Sequence, residues 1–520
     1  MALAVHVLSG AYHDSVKLMR ISAAASEKAH VRGAAALMGT PMNLEQLAAS
    51  GLLAEEAKGA GPNDLVLVVD ADAPEAAQEE LTMMEAALTA PRRGGGAGPL
   101  ADLSASTLDA ALGVDPAINL ALFSIPGPSV RREAERALRK GLHCLIFSDN
   151  VPVEDEVALK QMGREKDLLV MGPDCGTAHI GGVGLGFCNV VRPGEIGIAG
   201  AAGTGIQEAM AAIDSGGGGI SCALGTGGRD VSDAVCGLAT IQAVETLSED
   251  ATTKVLLVLG KPPEPAATAK VLETAAKCAK PVVIHFVGAK TEDMDRYLHA
   301  HPNLHMADSL ADAGRLAISL SGGQAEATPF EVGMGARARI AEWSRTRPKS
   351  CRYLRGVYTG GTLCAEAQAI VGKTIEGIRS NAPLDKINGK MADPMSSEGH
   401  AVVDLGDDLF TRGKPHPMID PAPRSARIVQ EARDPETAVV LFDVVLGLGA
   451  HDDPAGEAAR AIEEASSSGV LFIASVTGTE GDPQGLNVQR AKLAEAGALV
   501  ADTHAEACLA AAAALEGLGG

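Results

Sequence analysis

Two segments of the sequence repeat one pattern, in which an apolar strand runs into a turn of glycine and threonine and then into a helix-like stretch. The first copy has its strand at residues 196–199, and the second at residues 355–358. The turns contain Gly203, Thr204 and Gly205 in the first copy and Gly360, Gly361 and Thr362 in the second. A chain built this way must place two similar α/β units side by side in its sequence.

Three further correspondences follow in the same order. A second strand ends in glycine and charge in each copy, a third apolar strand leads into an Ala-rich helix, and a fourth strand ends in glycine. The residues after the second strand are Gly228, Arg229 and Asp230 in the first copy and Asp404, Asp407 and Asp408 in the second. Four matches in one order indicate an internal duplication.

A glycine-threonine turn between a strand and a helix favours phosphate binding. Glycine lets the backbone approach a ligand closely, and the first amides of the helix are unpaired and positively polarised. The pattern GxxxxGK[ST] is absent, which excludes a Walker P-loop. The alternative is that small residues merely allow tight strand-to-helix packing, but matched turns in both copies favour a shared phosphate site.

At 520 residues the chain is too long for one core. The alternation of strands and helices predicts a multidomain α/β protein with parallel sheets. The predicted domains are a small α/β domain at residues 1–95 and three larger α/β domains at residues 107–191, 192–322 and 350–520. Residues 91–106 are rich in Gly, Ala and Pro and are predicted to form a linker.

The composition limits the partners. A formal net charge of −22 repels nucleic acid and anionic membranes, and an aromatic content of 2% argues against base stacking. No apolar run is long enough to span a bilayer, and the N-terminus does not read as a signal peptide, so we expect a cytoplasmic protein. The nine cysteines include no CxxC pair, which favours reduced, buried thiols.

Several motifs resemble a known family. The stretches around Gly172, Pro173, Asp174 and Cys175 and around Gly203 and Thr204 are similar to the succinyl-CoA synthetase alpha subunit, and residues 350–510 resemble the ligase domain of its beta subunit. Over nearly the whole length the chain more closely resembles the FdrA proteins, through residues 147–151, 171–177, 227–230, 358–363, 404–408 and 415–421. Gly172, Pro173, Asp174 and Cys175 are therefore the candidate cofactor-binding residues.

The resemblance implies a subunit of an oxamate carbamoyltransferase in allantoin breakdown, acting in a heteromeric complex with the products of neighbouring genes. It also implies that residues 107–191 form a Rossmann-like, CoA-binding-type domain and that residues 192–322 and 350–520 form two flavodoxin-like ligase domains. Coenzyme A is the implied cofactor, and a homo-oligomer is a further option. The chain departs from the synthetases at three places. It lacks the His-Ala-Gly-Ala loop of their phosphohistidine, it has Lys261 where they have Glu, and Ser9 to Asp14 does not reproduce their Gly-rich coenzyme A turn.

These departures suggest a reaction that stops at an acyl phosphate. The predicted reaction is phosphate plus oxalurate giving carbamoyl phosphate plus oxamate, with the phosphate and other small anions held by the two helix ends and by cations. Those candidate cations are Arg229, Lys261, Arg412 and Lys414. The alternatives are a nucleotide-dependent acyl-CoA synthetase and a non-catalytic metabolite-binding scaffold.

His416 is the candidate general acid or base, because prolines on both sides fix its backbone and basic neighbours would lower its pKa. The alternative is a histidine that braces a turn. Carboxylates after the second strand of the second copy could hold Mg²⁺ or orient substrate, or could instead cap helices. These are Asp404, Asp407, Asp408 and Asp420. Asp443, inside an apolar strand, is expected to accept bonds from backbone amides.

Overall fold

The computed structural model describes residues 2–11, 15–26, 28–40, 43–44, 47–48, 50–89, 105, 107–289, 292–324, 331–387, 389–412, 414–466 and 469–516. The chain divides into two compact units. The first comprises residues 1–111 and 413–415, and the second comprises residues 112–412 and 416–520. The predicted linker falls almost entirely outside the described residues, as do three residues of the segment from Ser9 to Asp14.

The first unit contains an antiparallel sheet whose described strands are ordered β1-β3-β2. Its central strand is buried along its whole length, because it has a neighbouring strand on each side and two helices pack on one face. This confirms the predicted small α/β domain. Its elements are β1 (Ala2–Leu8), α1 (Ser15–Ser26), β2 (Val31–Met38), a 3₁₀ turn (Glu55–Ala57), β3 (Leu65–Ala71) and α2 (Pro74–Thr89).

The second unit begins with a short parallel sheet of described order β4-β5-β6. Strand and helix alternate here as the sequence predicts, so that each crossover is a helix. The chain then forms a hairpin, β7 with β8, that joins the next sheet. The elements are α3 (Leu108–Val114), β4 (Leu120–Phe123), α4 (Gly127–Arg139), β5 (His143–Ile146), α5 (Val153–Glu165), β6 (Val170–Met171), β7 (Thr177–Ile180) and β8 (Val183–Gly186).

The first predicted ligase copy forms the first lobe. Its described strands are ordered β13-β12-β11-β9-β10-β7-β8, and those from β13 to β10 are parallel. The elements are β9 (Pro193–Ala201), α6 (Gly203–Ser215), β10 (Ile220–Gly225), α7 (Leu238–Glu249), β11 (Val255–Gly260), α8 (Pro265–Ala276), β12 (Val282–Phe286), α9 (Glu292–Ala300), β13 (Leu304–Met306) and α10 (Leu310–Leu320).

The second copy forms the second lobe, a parallel sheet of described order β15-β14-β16-β17-β18. Numbered within each lobe, both sheets run 2-1-3-4-5, the flavodoxin-like order, and this confirms the duplication. The elements are α11 (Met334–Thr346), β14 (Tyr353–Tyr358), α12 (Gly361–Val371), β15 (Ala401–Asp404), α13 (Asp408–Thr411), α14 (Ala422–Arg433), β16 (Thr437–Val445), α15 (Pro454–Glu464), β17 (Leu471–Thr477), α16 (Leu486–Glu495), β18 (Leu499–Ala501) and α17 (His504–Glu516).

The fifth strand of each lobe, β13 or β18, was not predicted from the sequence. In the first lobe, His305 of β13 pairs with Val283 of β12. These edge strands have only three residues each, too few for a clear periodic signal. Among the described residues, no helix is both long and apolar enough to cross a bilayer.

The two lobes share a hydrophobic core. Ile206 and Met210 of α6 and Leu310 of α10 lie in one buried cluster with Leu363 of α12 and Cys508 of α17. All five are fully or almost fully buried. The duplicated lobes therefore pack as one body through the helices that follow their first and last strands.

Asp443 anchors the turn before α12. It is fully buried in β16, and its carboxylate accepts hydrogen bonds from Thr359 N (2.7 Å) and Gly360 N (2.8 Å). The expectation that this buried acid binds backbone amides is confirmed. The carboxylate therefore fixes the turn at Thr359 and Gly360, and it does not bind the amides of the first turn of α12.

We expect Asp443→Ala to lower the free energy of unfolding by roughly 2–4 kcal/mol, because it leaves buried amides without acceptors. Chemical denaturation measures this change. Asp452→Ala, at an exposed position in the same lobe, serves as the control and should change the free energy by less than about 0.5 kcal/mol. Equal effects of the two substitutions would contradict the anchoring role.

Candidate functional site

The two predicted turns meet. A methyl group built on Gly360 would lie 2.7 Å from Thr204 Oγ1, and one built on Gly205 would lie 2.8 Å from Thr362 Cγ2. Both distances are shorter than real contacts of a Cβ atom, so glycine is required for this approach. The helices α6 and α12 thus begin against one another, at the carboxyl ends of β9 and β14.

The first amides of both helices are available to a ligand. Within the described part of the chain, the amides of Gly203, Thr204 and Gly205 have no hydrogen-bond acceptor, and neither do those of Gly361, Thr362 and Leu363. Thr204 Oγ1 is also buried without a partner there. Two positively polarised helix ends and a hydroxyl therefore converge on one place.

Each helix also holds the other lobe in place. Glu208 of α6 accepts a bond from His504 N at the start of α17 (2.9 Å) and from Thr477 Oγ1 (2.5 Å). Glu366 of α12 accepts one from Leu310 N at the start of α10 (2.8 Å). The exchange is reciprocal, since each glutamate caps the last helix of the opposite lobe. The two glutamates follow Thr204 and Thr362 by four residues each.

His504 completes this inter-lobe contact. Its ring is fully buried, with Nδ1 at 2.6 Å from Glu366 Oε2 and Nε2 at 3.2 Å from the Tyr358 hydroxyl. Burial opposes a charge on His504, but the neighbouring Cys508 and Glu366 raise its pKa well above the ordinary value. Burial likewise opposes charge on Glu366, but the bond from His504 lowers its pKa. The pair is therefore a buried ion pair.

Carboxylates and one lysine line the space beside the helix ends. A methyl group built on Gly361 would lie 2.6 Å from Asp404 Oδ2 and 3.3 Å from Lys261 Nζ. One built on Gly228 would lie 3.8 Å from Asp174 Oδ2 and 4.0 Å from Lys261 Nζ. Lys261, at the end of β11, therefore lies between the two acids.

The environment disfavours charge on both acids. Burial raises the pKa of Asp404 to about 7, although Lys261 opposes the change. Surrounding protein atoms raise the pKa of Asp174 to about 6, again opposed by Lys261. Asp174 also keeps an exposed surface, so solvent screens part of its shift. Asp404 is thus closer to half-protonation at neutral pH than an ordinary aspartate.

His416 lies at this site as a neutral group. Its Nε2 is 2.8 Å from the position of a methyl group built on Gly406, and its ring packs at 5.5 Å from that of Phe187. Burial lowers the pKa of His416 to about 4, opposed by Asp149, so the cause is burial and not the predicted basic neighbours. Met418 N donates to Nδ1 (3.2 Å), which leaves the proton on Nε2. The role of His416 as a general acid or base stays a prediction, and its neutral ring can donate a hydrogen bond through Nε2.

Only one side chain of the predicted cofactor-binding loop reaches the site. Gly172 packs against Ile146 O. Pro173 O occupies the place where a side chain on Gly227 would begin, and the φ of +86° at Gly227 also requires glycine. Cys175 is buried, its Sγ is 3.2 Å from Gly225 O, and burial raises its pKa to about 12. Its thiol is therefore a packing group and does not face a ligand. Asp174 is the residue of this loop that lies beside Lys261.

Arg229 and two acids of the second copy, Asp407 and Asp408, interact with neighbouring residues. Arg229 contacts Val151 O (2.8 Å) and Glu156 (3.0 Å), so its guanidinium is partly engaged within the protein. Asp407 caps α13 by accepting from Leu409 N (3.0 Å), which confirms the capping alternative for this residue. Partial burial and the acids Asp149 and Asp407 raise the pKa of Asp408.

Sequence reasoning missed Glu208, Glu366 and His504. The two glutamates carried a detectable signal, since they occupy equivalent positions in the duplicated helices. His504 had none, because its role depends on contacts with residues about 140 and 300 positions away in the chain. A candidate metal site is also lacking, since no cluster of three or more His, Cys, Asp or Glu side chains among the described residues could hold an ion.

Three family models match the chain. One described as CoA-ligase matches residues 357–514, and one described as CoA binding domain matches residues 191–288. A third, described as AllF, heavy metal-associated domain, matches residues 1–101. That segment contains no cysteine, so it lacks the thiolates that soft metals prefer. The CoA-binding match falls on the first lobe, and the predicted domain boundaries remain predictions.

One relative aligns over almost the full length. The uncharacterized protein YahF of Escherichia coli K12 is 39% identical over 510 residues, which cover 97% of this chain and 96% of YahF. Subunit alpha 2 of an ADP-forming succinate–CoA ligase from Archaeoglobus fulgidus is 24% identical over 41% of this chain and 74% of its own length.

Among solved structures, a dinucleotide-forming acetyl-coenzyme A synthetase 1 from Ca. Korarchaeum cryptofilum, in complex with phosphate and ADP, is 14% identical. The match covers 77% of this chain and 82% of that chain, with a TM-score of 0.33.

We expect Glu366→Gln to lower the free energy of unfolding by roughly 2–4 kcal/mol, because it leaves a buried His504 charge without its partner. The raised pKa of His504 stabilises the fold fully below its unfolded pKa near 6.5, and this contribution is lost as the pH rises through the folded value. The deficit should therefore be largest near about pH 5.5 and shrink toward about pH 8. Denaturation of the exposed control Glu495→Gln should show no such trend, and a pH-independent deficit for Glu366→Gln would contradict the ion pair.

Sulfate binding tests the helix ends and Asp404 together, because sulfate stays a dianion over the range. Asp404 is charged above its pKa of about 7 and neutral below it. We expect sulfate affinity to rise about threefold to tenfold as the pH falls from about 8 to about 6, since repulsion from the carboxylate is lost. Calorimetry on Asp404→Asn should show a shallower profile, to which Asp174 with its pKa of about 6 still contributes, and an unchanged slope would exclude Asp404 as the main cause.

Proposed function

Because the chain belongs to the FdrA-like family of the succinyl-CoA synthetase superfamily, we propose that it transfers a carbamoyl group to or from inorganic phosphate. The reaction is oxalurate plus phosphate giving carbamoyl phosphate plus oxamate, or its reverse. The chain would act as one subunit of a complex with the products of neighbouring genes. Relatives of the CoA-ligase superfamily are enzymes, which supports a catalytic role.

The observation that carries this proposal is the meeting of the two helix N-termini. Gly360 lies against Thr204 and Gly205 lies against Thr362, so the free amides of the two helix ends lie close together. Each set alone would be a weak anion site. Together with the unpartnered Thr204 hydroxyl they offer donors for the several oxygens of a phosphate group.

The reaction needs few chemical groups. An oxygen of phosphate forms a bond to the carbamoyl carbon, the bond from that carbon to the oxamate nitrogen breaks, and this nitrogen takes a proton. Negative charge develops on the carbamoyl oxygen as the phosphate attacks. Catalysis by positioning and charge stabilisation is sufficient for such a transfer.

Three side chains fit these requirements. Asp404, with its pKa of about 7, can deliver or accept the proton of the leaving nitrogen. His416 is neutral and carries its proton on Nε2, so it can donate a hydrogen bond to the developing oxyanion without changing charge. Lys261 supplies a positive charge between the acids.

An acyl-CoA ligase is the second candidate, and the matches to the CoA-ligase and CoA-binding models favour it. Coenzyme A would supply a thiol as the acyl acceptor. The residues of this chain fit it poorly. The segment from Ser9 to Asp14 lacks the Gly-rich turn of the synthetases. Cys175, in the predicted cofactor-binding loop, is buried against Gly225 O. We assign no step to coenzyme A.

The direct test is phosphate-dependent release of oxamate from oxalurate, measured by chromatography on the purified chain with and without its neighbouring gene products. We expect release from the complete complex. Gly361→Ala should lower it at least about 100-fold, because the added methyl group would lie 2.6 Å from Asp404 Oδ2 and obstruct the helix end.

Gly335→Ala is the matched control, since a methyl group there meets nothing within 4 Å. It should retain activity within about twofold of the wild type. If the complete complex forms but releases no oxamate, the carbamoyl reaction is wrong. Formation of succinyl-CoA or another acyl-CoA by the same complex would support the ligase instead.

A further inference from the structure

Three side chains from different parts of the second unit converge beside the helix ends. Asp174 follows β6, Lys261 follows β11, and Asp404 ends β15. Methyl groups built on Gly228 and on Gly361 would each lie within 4.0 Å of Lys261 Nζ and of one carboxylate oxygen. The order across the site is therefore acid, lysine, acid, and we call these residues the Asp-Lys-Asp triad.

Within the described part of the chain, the three side chains of the triad form no ion pair with one another. Across the residues that the structure describes, Lys261 Nζ has no carboxylate within 4.0 Å, and Asp174 makes no side-chain hydrogen bond. Asp404 uses Oδ1 to accept from Gly406 N (2.9 Å), and its Oδ2 is the atom that points toward Gly361. The triad thus presents an acceptor, a donor and an acceptor in sequence.

We propose that the Asp-Lys-Asp triad recognises a ureido group, –NH–CO–NH₂. A ureido group carries two N–H donor groups and one carbonyl acceptor, which match in number the two carboxylate acceptors and the one ammonium donor of the triad. Lys261 Nζ donates to the carbonyl oxygen, while one acid accepts from the terminal NH₂ and the other from the internal NH. This inference rests on the proposed function, because the substrate of that reaction carries its carbamoyl group on an amide nitrogen.

The charge of the site favours this class of ligand over a simple dicarboxylate. Asp149 and Asp408 add negative charge near Asp174, and they oppose ionisation of its carboxyl group. A second carboxylate of a ligand placed here would be repelled, whereas N–H donors relieve the unpaired acids. The site is therefore selective for the ureido end and leaves the phosphate to the helix amides.

Calorimetric binding of N-carbamoylglycine to the full chain tests the proposal. N-acetylglycine is the matched probe, because it keeps the carbonyl group and replaces the terminal NH₂ with a methyl group. We expect N-acetylglycine and succinate to bind at least tenfold more weakly than N-carbamoylglycine. Asp174→Asn and Asp404→Asn should each weaken binding of N-carbamoylglycine at least tenfold, and Asp452→Asn should leave it unchanged.

Sulfate binding at about pH 8, measured on the same variants, shows that they are folded and separates the two proposals. Sulfate affinity should be unchanged or higher in both Asn variants, since a negative charge is removed. Equal affinity of the wild type for N-carbamoylglycine and N-acetylglycine would overturn the triad, as would full binding by both Asn variants. If the wild type binds N-carbamoylglycine as expected but does not bind sulfate, the phosphate site is wrong and the proposed role of the Asp-Lys-Asp triad still holds.

Discussion

The rest of the site depends on the close approach of two helix ends. Gly360 leaves room for the Thr204 side chain, and Gly205 leaves room for Thr362, so α6 and α12 begin in contact. A β-carbon at either glycine would force the lobes apart and separate the free amides. The shared core, the reciprocal caps of Glu208 and Glu366, and the anchoring of the second turn by Asp443 all maintain this one contact.

The buried charges divide into two groups with different tasks. His504 and Glu366 lie behind the helix ends and are satisfied by each other and by backbone amides, which suits a structural contact between lobes. Asp174, Lys261 and Asp404 lie in front of the helix ends and are incompletely paired. Incompletely paired groups are costly in a stable fold and are typical of functional sites.

Much of the fold was predictable. The strands and helices that flank each turn, and the order of the matched segments, follow from apolar runs punctuated by glycine, and the two 2-1-3-4-5 sheets agree with that order. The sequence did not predict the short edge strands β13 and β18 or the hairpin of β7 and β8. Segments of three or four residues are too short to show a clear hydrophobic period. His416 was found as a site residue, but burial, which only the fold supplies, lowered its pKa and placed its proton on Nε2.

The sequence by itself determined the duplication, the glycine-threonine turns and the acids that follow the strands, because each depends on residues near one another in the chain. Only the tertiary structure decided that the turns of the two copies meet and that Lys261 lies between Asp174 and Asp404. It also decided that two equivalent glutamates cap opposite lobes. The physical reason is that such contacts join residues from 56 to 296 positions apart, and a local pattern carries no information about which distant surfaces will pack together.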